Sequence, residues 1–496
     1  CNMIVTGMLL LGGAAVVNGL TGMDISLAAF LIPVGVMIYT LVGGLKATFV
    51  ADYMHTVIIF IVILTFVATV FFISPITGGV EGMYNKLVEA ASLNPVLEPT
   101  FVPGEPGNAM GAYLTMASAG GLIFGVINIV GNFGTVFVDQ AYWQRAIAAQ
   151  PSSTVKGFLL GGMCWFAIPF TLATTMGLTA VALDVELTPE QVQLGLTVPA
   201  AASVLMGEIG AIMVLVMLFM AVTSAGSAEL IAVSSLLTYD VYRTYKNPQA
   251  TGKQLLKVSR GVIVAFGLGM GALAVVLLGM GLSLGFVYLA MGILIGSAVI
   301  PIALTIIWNK TTRAGAVAGA LVGVCLSLLT WTSVAASEAD GVIDIASLGG
   351  AFPMLYGNVV AILSSGLICV VVSLAQNKKF DWKDLDKHMS LVTDDMEQHE
   401  ITATEAAKRE QDEEQLKKAF KFSVRGGGLL TLICVVFWPL PLYFSGYVFD
   451  LGFYSLWVGI AVVWVSVASA FIIGMPIVEA RGGFAKVARG KKATSG

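Results

Sequence analysis

Apolar runs of roughly twenty residues, parted by short polar breaks, recur along this chain from its first residues to about position 474. A helix rising about 1.5 Å per residue crosses a hydrocarbon layer of about 30 Å in some 20 residues, so each run is long enough to span a bilayer. Twelve segments can be drawn, at roughly 3–20, 25–43, 55–73, 114–137, 157–182, 205–235, 258–281, 284–308, 314–334, 353–375, 427–446 and 453–474. Two of the breaks predict short helices. One is "MYNKLVEAAS", within the Gly- and Pro-rich stretch 74–112. The other is "DVELTPEQVQLGLTVPAA", where Thr188-Pro189 opens a helix with acids in its first turn. Residues 376–425 are the soluble-looking part. Their "EAAKREQDEEQLKKAFK" predicts a solvated helix held by i,i+4 charge pairs, a connector in the simpler reading and a regulatory or partner-binding element in the other.

Composition agrees with the pattern. Of 496 residues 57% are hydrophobic and 11% charged, against about 25% charged in soluble domains, and the mean hydropathy is +0.89. The fold class is therefore an all-α polytopic membrane protein. If the break at 44–54 is inside and the spans alternate, 25 of the 26 lysines and arginines fall on one side, leaving only Lys86 outside. The expected setting is the plasma (cell inner) membrane with a cytoplasmic C-terminus. Four regions follow: a core at 1–375, the charged cytoplasmic loop 376–425, two further spans in 426–475, and a basic tail at 476–496. Cys1, Cys164, Cys325, Cys369 and Cys434 are scattered, four of them in apolar runs, and suggest neither disulfides nor a metal centre. His388 and His399 read as surface residues of the loop. No phosphate-binding loop, HExxH or GxSxG in its required setting is present, so an enzyme is not expected. No cofactor or nucleic-acid partner is implied, and the oligomeric state is not legible.

The chemistry lies in polar residues within the spans. "GLIFGVINIVGNFGTVFVDQAYWQR" (121–145) holds Asn128 and Asn132 four residues apart, on one helical face, with Thr135 a turn further on. Gly131 and Gly134 make local unwinding inexpensive, so an interrupted helix lining a solute site is expected, in place of asparagines that merely hydrogen-bond neighbouring helices. "FMAVTSAGSAELIAVSSLLTYD" (219–240) places Glu229 eleven residues, about 16 Å of helix, before the boundary residue Asp240. A carboxylate at such depth is either functional or a buried structural partner. Glu208 reads as interfacial. In "DQAYWQR", Asp139 and Arg145 can form an ion pair, while Tyr142 and Trp143 sit at interfacial depth, which gives that loop a structural or gating role.

"GGLKATFVADYMH" between the second and third spans, "DQAYWQRAIAA" after the expected interrupted helix and "SSLLTYDVYRTY" ending the sixth span, in this order along the chain, resemble the sodium:solute symporter family. "INIVGNFGTVFVDQAYWQRAIAA", "AVTSAGSAELIAVSS" and "WFAIPFTLATTMGLTAVAL" are similar, more narrowly, to its urea active transporter branch. The resemblance covers residues 1 to about 375 and implies a LeuT-like, five-plus-five inverted repeat, with the first visible span as the third core helix. The first two core helices are then absent. The chain begins with Cys, is read as N-terminally truncated, and is not expected to transport alone. By the same resemblance Asn132 falls at a substrate-binding asparagine, Thr135 at an aromatic gate, and Trp165 at a substrate-contacting lysine of sugar-transporting relatives. Asn132, Asn128, Thr135 and Trp165 then suit a small neutral solute such as urea, whose carbonyl and amino groups match a carboxamide. The family's sodium site maps to Ala221, Ser224 and Ala225, where the second hydroxyl is lost. The coupling ion is accordingly Na+ held at Ala221 and Ser224, or H+ carried by Glu229. The resulting reading is an ion-coupled secondary active symporter importing urea or a similar solute by alternating access. The rivals are a sodium symporter for an amino acid or short carboxylate, a transporter-like sensor module, and a passive channel.

Overall fold

The computed structural model describes residues 1–93, 107–149, 151–381 and 413–488. Among them no strand forms, and twelve helices are long and apolar enough to cross a membrane. In chain order these are α1 (Asn2–Thr21), α2 (Ile25–Gly44), α3 (Thr48–Ile73), α4 (Ala119–Val138), α5 (Thr154–Ala182) and α6 (Thr197–Lys246). They continue with α7 (Gly252–Gly279), α8 (Leu284–Ile307), α9 (Arg313–Glu338), α10 (Ala351–Gln376), α11 (Lys417–Ser445) and α12 (Leu451–Val478). All twelve expected spans are present. His388, His399 and most of the charged loop lie outside the described residues, although its end, from Glu413, joins the helix that runs into α11.

Local sequence sets the helix starts. Asp24, Ser118, Thr251, Ser283 and Thr312 cap α2, α4, α7, α8 and α9, each accepting a first-turn backbone N–H. Gly44, at φ 56°, separates α2 from α3, a conformation that a Cβ would disfavour. The short connecting helices form where expected, at Gly79–Leu93 and at Pro189–Gln193, the second with a Thr188/Gln191 capping box. A third short helix, Ile345–Leu348, is capped by Asp344. The Ser347 amide and hydroxyl hold the Asp344 carboxyl below its usual range.

Three packing groups build the body. Helices α1, α2, α6 and α7 share a core around Leu10, Ile32, Val222 and Met270. Helices α3, α5, α6 and α12 enclose Phe60, Phe66, Met176 and Tyr454, with Phe166 and Phe170 of α5 against Trp457 and Trp464 of α12. Helix α4 packs instead on α8 and α10, through Ile127, Ile293 and Met354.

Between membrane helices there is little hydrophobic incentive to associate, so small residues that admit close dispersion contact do the joining. The α9–α10 hairpin shows this. Gly315, Gly319 and Gly323 recur every four residues and lie against Ser373, Cys369 and Ser365. A Cβ on Gly319 would stand 2.6 Å from the Ser365 carbonyl oxygen, which is backbone and cannot turn aside. Gly319→Ala should therefore destabilise the purified protein by about 1–3 kcal/mol through overpacking. Gly269→Ala, whose Cβ would meet nothing within 4 Å, should leave the melting temperature level or raise it. Thermal unfolding of the two variants in detergent checks the contrast.

Candidate functional site

Helix α4 carries the solute-site candidates, and it is continuous from Ala119 to Val138. The expected interruption is absent. Gly131 and Gly134 serve close packing instead: a Cβ at Gly134 would sit 2.8 Å from Ile295, and one at Gly131 would sit 3.2 Å from Met291. Opposite them, a Cβ at Gly292 would lie 3.0 Å from the Gly131 nitrogen. The backbones of α4 and α8 thus meet at their glycines.

That approach brings Tyr288 of α8 to Asn128. The tyrosine hydroxyl donates to Asn128 Oδ1, which also accepts from Asn132 Nδ2 at 2.8 Å. The two lone pairs of Asn128 Oδ1 are then filled. The Asn128 amide hydrogens and Asn132 Oδ1 have no side-chain or backbone partner among the described residues. Together they present two donors and an acceptor on the open side of α4, beside the stacked Phe124–Tyr288 pair.

The other two solute-site candidates do not join this group. The Thr135 hydroxyl turns to the Gly131 carbonyl and to Met291 Sδ of α8, at 3.1 and 3.3 Å. Trp165 is 61% exposed on α5, with no hydrogen bond to the asparagines among the described residues. Pro169, four residues on, has no N–H to offer, so the Trp165 carbonyl lacks its intrahelical donor.

A second polar layer lies where α4 ends. Asn2 of α1 donates from Nδ2 to Asp139 Oδ1 at 2.9 Å and to Glu229 Oε2 of α6 at 2.7 Å. Asp139 is fully buried, Glu229 is 4% exposed and Asn2 is 9% exposed. Asp139 also caps the short helix Gln140–Ala148, accepting from the Ala141 N–H at 2.7 Å. The expected Asp139–Arg145 ion pair does not form. Once Asp139 is turned toward Asn2 and the cap, Arg145 reaches across to Asp52 of α3, with Nη2 2.8 Å from Oδ2. The other Asp52 oxygen accepts from the Ser224 hydroxyl of α6 at 2.5 Å. Ala221 sits in an unbroken helical stretch of α6, so its carbonyl bonds within the helix and keeps one lone pair. Ser224 and Glu229 therefore belong to two different clusters. Two further "DQAYWQR" side chains fasten the loop. Trp143 donates to the Phe137 carbonyl at 3.0 Å, and Gln144 donates to that of Ala232 at 3.3 Å.

Against this geometry the comparisons are informative. The model of the sodium:solute symporter family matches residues 2–323. The chain belongs to that family. Among its relatives, the urea-proton symporter DUR3 of Oryza sativa subsp. japonica is 48% identical, over 99% of this chain and 67% of the relative. The probable urea active transporter 1 of Schizosaccharomyces pombe is 39% identical over 97% of this chain and 71% of its own length. The urea active transporter of Saccharomyces cerevisiae is 36% identical, with coverage of 99% and 74%. A solved Na+-coupled sialic acid symporter, in a substrate-bound outward-open state, superposes with a TM-score of 0.52 at 16% identity, covering 75% of this chain and 74% of that one. The likeness is one of fold, the LeuT-like architecture expected from the sequence.

Asn2, Asp52 and Tyr288 escaped the sequence reading. Asn2 and Asp52 stand near helix ends, where polar residues are ordinary. Tyr288, in "GFVYLAMG", looks like one more aromatic in an apolar run.

The partner assignment for Arg145 has a direct check. Arg145→Gln strands a half-buried Asp52 and should destabilise by about 1–2 kcal/mol, part of the interaction being screened by solvent. In double-mutant cycles Arg145→Gln should couple to Asp52→Asn and be additive with Asp139→Asn. Coupling to Asp139 alone would restore the pair expected from the sequence.

Proposed function

We propose that the protein is a proton-coupled symporter that takes up urea by alternating access. The observation that carries the solute assignment is the Asn128–Asn132–Tyr288 chain halfway along α4. The free Asn128 amide suits the urea carbonyl, and Asn132 Oδ1 suits a urea N–H. Tyr288 fixes the carboxamide orientation, so a solute meets donors and acceptors already aimed. No charged side chain takes part in this chain, which favours a neutral solute over an amino acid or a short carboxylate. The names of the relatives at 36–48% identity point the same way.

Proton coupling is supported by the inner layer. Two buried carboxylates, Asp139 and Glu229, meet on one neutral amide. Both cannot stay ionised there without a large cost, and one proton on the pair removes the repulsion. The groups facing them are the Cys1 thiol and Tyr142. Glu229 is the group we assign to the proton, because Asp139 is also held by the helix it caps. The name of the rice relative agrees. A second reading, sodium coupling, is favoured by Ser224 and Asp52, which set a hydroxyl and a carboxylate side by side near the Ala221 carbonyl.

The inner contacts also suit alternating access. Asn2, Glu229 and Asp52 belong to α1, α6 and α3, whereas Asp139 and Arg145 follow from α4, which packs on α8 and α10. An inward opening that moves α4 must release these bonds, and a change of charge on the carboxylate pair alters their strength.

Labelled-urea uptake by the full-length protein in proteoliposomes tests the reading. An inward proton gradient without sodium should drive accumulation, and Glu229→Gln should abolish it. Accumulation that needs sodium selects the second reading, and Glu229→Gln uptake at the wild-type level removes that residue from the carrier role. Tyr288→Phe should raise the urea KM about fivefold, the cost of one neutral hydrogen bond of about 1 kcal/mol, with the maximal rate largely kept. Absence of urea uptake under either gradient would send the solute assignment to other neutral amides.

A further inference from the structure

A recess of about 630 Å³ lies where α9 begins and α10 ends, remote in sequence from both polar layers, and Arg313, Lys378 and Lys379 line it. None of the three is in a salt bridge among the described residues. The chain places a cation where it is least welcome. Arg313 is the first residue of α9, and the positive end of a helix dipole disfavours a basic residue in the first turn. Arg313 and Ala314, both lining the recess, also have first-turn backbone N–H groups that no preceding helical carbonyl can accept. The Thr312 hydroxyl takes only the Gly315 N–H. Three cations and a helix start therefore converge on one concavity, and an anion there would relieve all of them.

The position says which anion. Both helices end at the lysine- and arginine-rich boundary of the membrane, so the recess opens at headgroup level. Val317 also lines it and is 50% exposed. Leu321, one turn further along the same face of α9, is 62% exposed. A molecule with a phosphate in the recess would thus find an apolar track leading from it into the hydrocarbon. Phe380, on the rim, adds an aromatic surface at interfacial depth.

We propose that this recess is a binding site for the headgroup of an anionic phospholipid, with the phosphodiester held by Arg313, Lys378 and Lys379 and an acyl chain laid along Val317 and Leu321. The site is independent of the solute and coupling assignments. Anionic headgroups gain roughly fivefold in affinity per basic residue near the membrane surface.

Native mass spectrometry of the full-length protein in detergent, titrated with phosphatidylglycerol or phosphatidylcholine, tests it. The wild type should retain one phosphatidylglycerol in preference to phosphatidylcholine. The triple variant Arg313→Gln, Lys378→Gln, Lys379→Gln should bind it about a hundredfold more weakly, from about fivefold per cation. A second triple variant, Lys246→Gln, Lys253→Gln, Lys257→Gln, removes the same charge outside the recess and should bind as the wild type does, with both variants melting near the wild-type temperature. Equal weakening in the two variants would reduce the effect to diffuse surface charge and overturn the site. Equal retention of phosphatidylcholine would overturn headgroup recognition. Displacement of phosphatidylglycerol by millimolar inorganic phosphate would overturn the lipid assignment and give the recess to a soluble phosphate.

Discussion

The close approach of α4 to α8 is the contact on which the candidate solute site depends. In lipid, apolar side chains gain little by leaving one greasy surface for another, and helices associate only where backbones can come near enough for dense dispersion contact. Gly131 and Gly134 on one side, and Gly292 and Gly296 on the other, permit that approach. Behind them Asn358 of α10 donates to the Leu289 carbonyl of α8 and the Met354 carbonyl of its own helix, locking the third member of the group. Tyr288 is one turn from Gly292 on the same helix, so the spacing that fits glycine to glycine also sets the tyrosine hydroxyl on Asn128. A bulkier residue in the seam would move a hydrogen bond that forms no part of the seam itself.

The carboxylate layer at the end of α4 follows a different logic. Buried polar groups must find partners, and a single neutral amide, Asn2, is asked to satisfy two carboxylates from two other elements. Asp139 spreads its charge further by capping the helix that follows it. Asp52 solves the same problem with a formal ion pair to Arg145 and a hydroxyl from Ser224. One cluster is thus balanced by a cation, while the other relies on an amide and has room for a proton. Asp139 and Glu229 stand six and five residues from Arg145 and Ser224 in the chain, yet the two clusters differ in chemistry, as separate roles in coupling and in gating would require.

Much of this was legible beforehand, and the rest failed for identifiable reasons. The twelve spans follow from apolar length, and the short helix opened by Thr188-Pro189 follows from its cap. Asn128 and Asn132 were legible as a pair, because i and i+4 share a face in any helix. The glycines of α4 were misread. Weak helix propensity allows unwinding but does not cause it, and Gly131 and Gly134 found a packing partner 160 residues away that local sequence does not reveal. Arg145 was given the nearest acid along the chain, yet its partner is Asp52, 93 residues distant. Tyr288 was invisible because nothing local separates an aromatic that packs from one that donates.

The unbroken course of α4 has a consequence for coupling. Asn128, Asn132, Thr135 and Asp139 follow one another at intervals of four, three and four residues, so the first three form one polar stripe along α4 and Asp139, its C-cap residue bonded back to the Thr135 carbonyl, continues it. From Asn128 to Asp139 the stripe runs eleven residues, about 16 Å. A helix broken at Gly131 could bend between the solute end and the carboxylate end, and a displacement at one would be absorbed before reaching the other. A continuous helix bonded through every turn moves as a rod. A solute that draws Asn128 and Asn132 toward itself therefore pulls on Asp139, and the strength of the Asn2 and Glu229 contacts sets how far the rod can travel. Rigid linkage between the candidate solute site and a buried carboxylate pair would give the proposed coupling a mechanical path that needs no unwinding, with the glycines keeping that rod seated against α8.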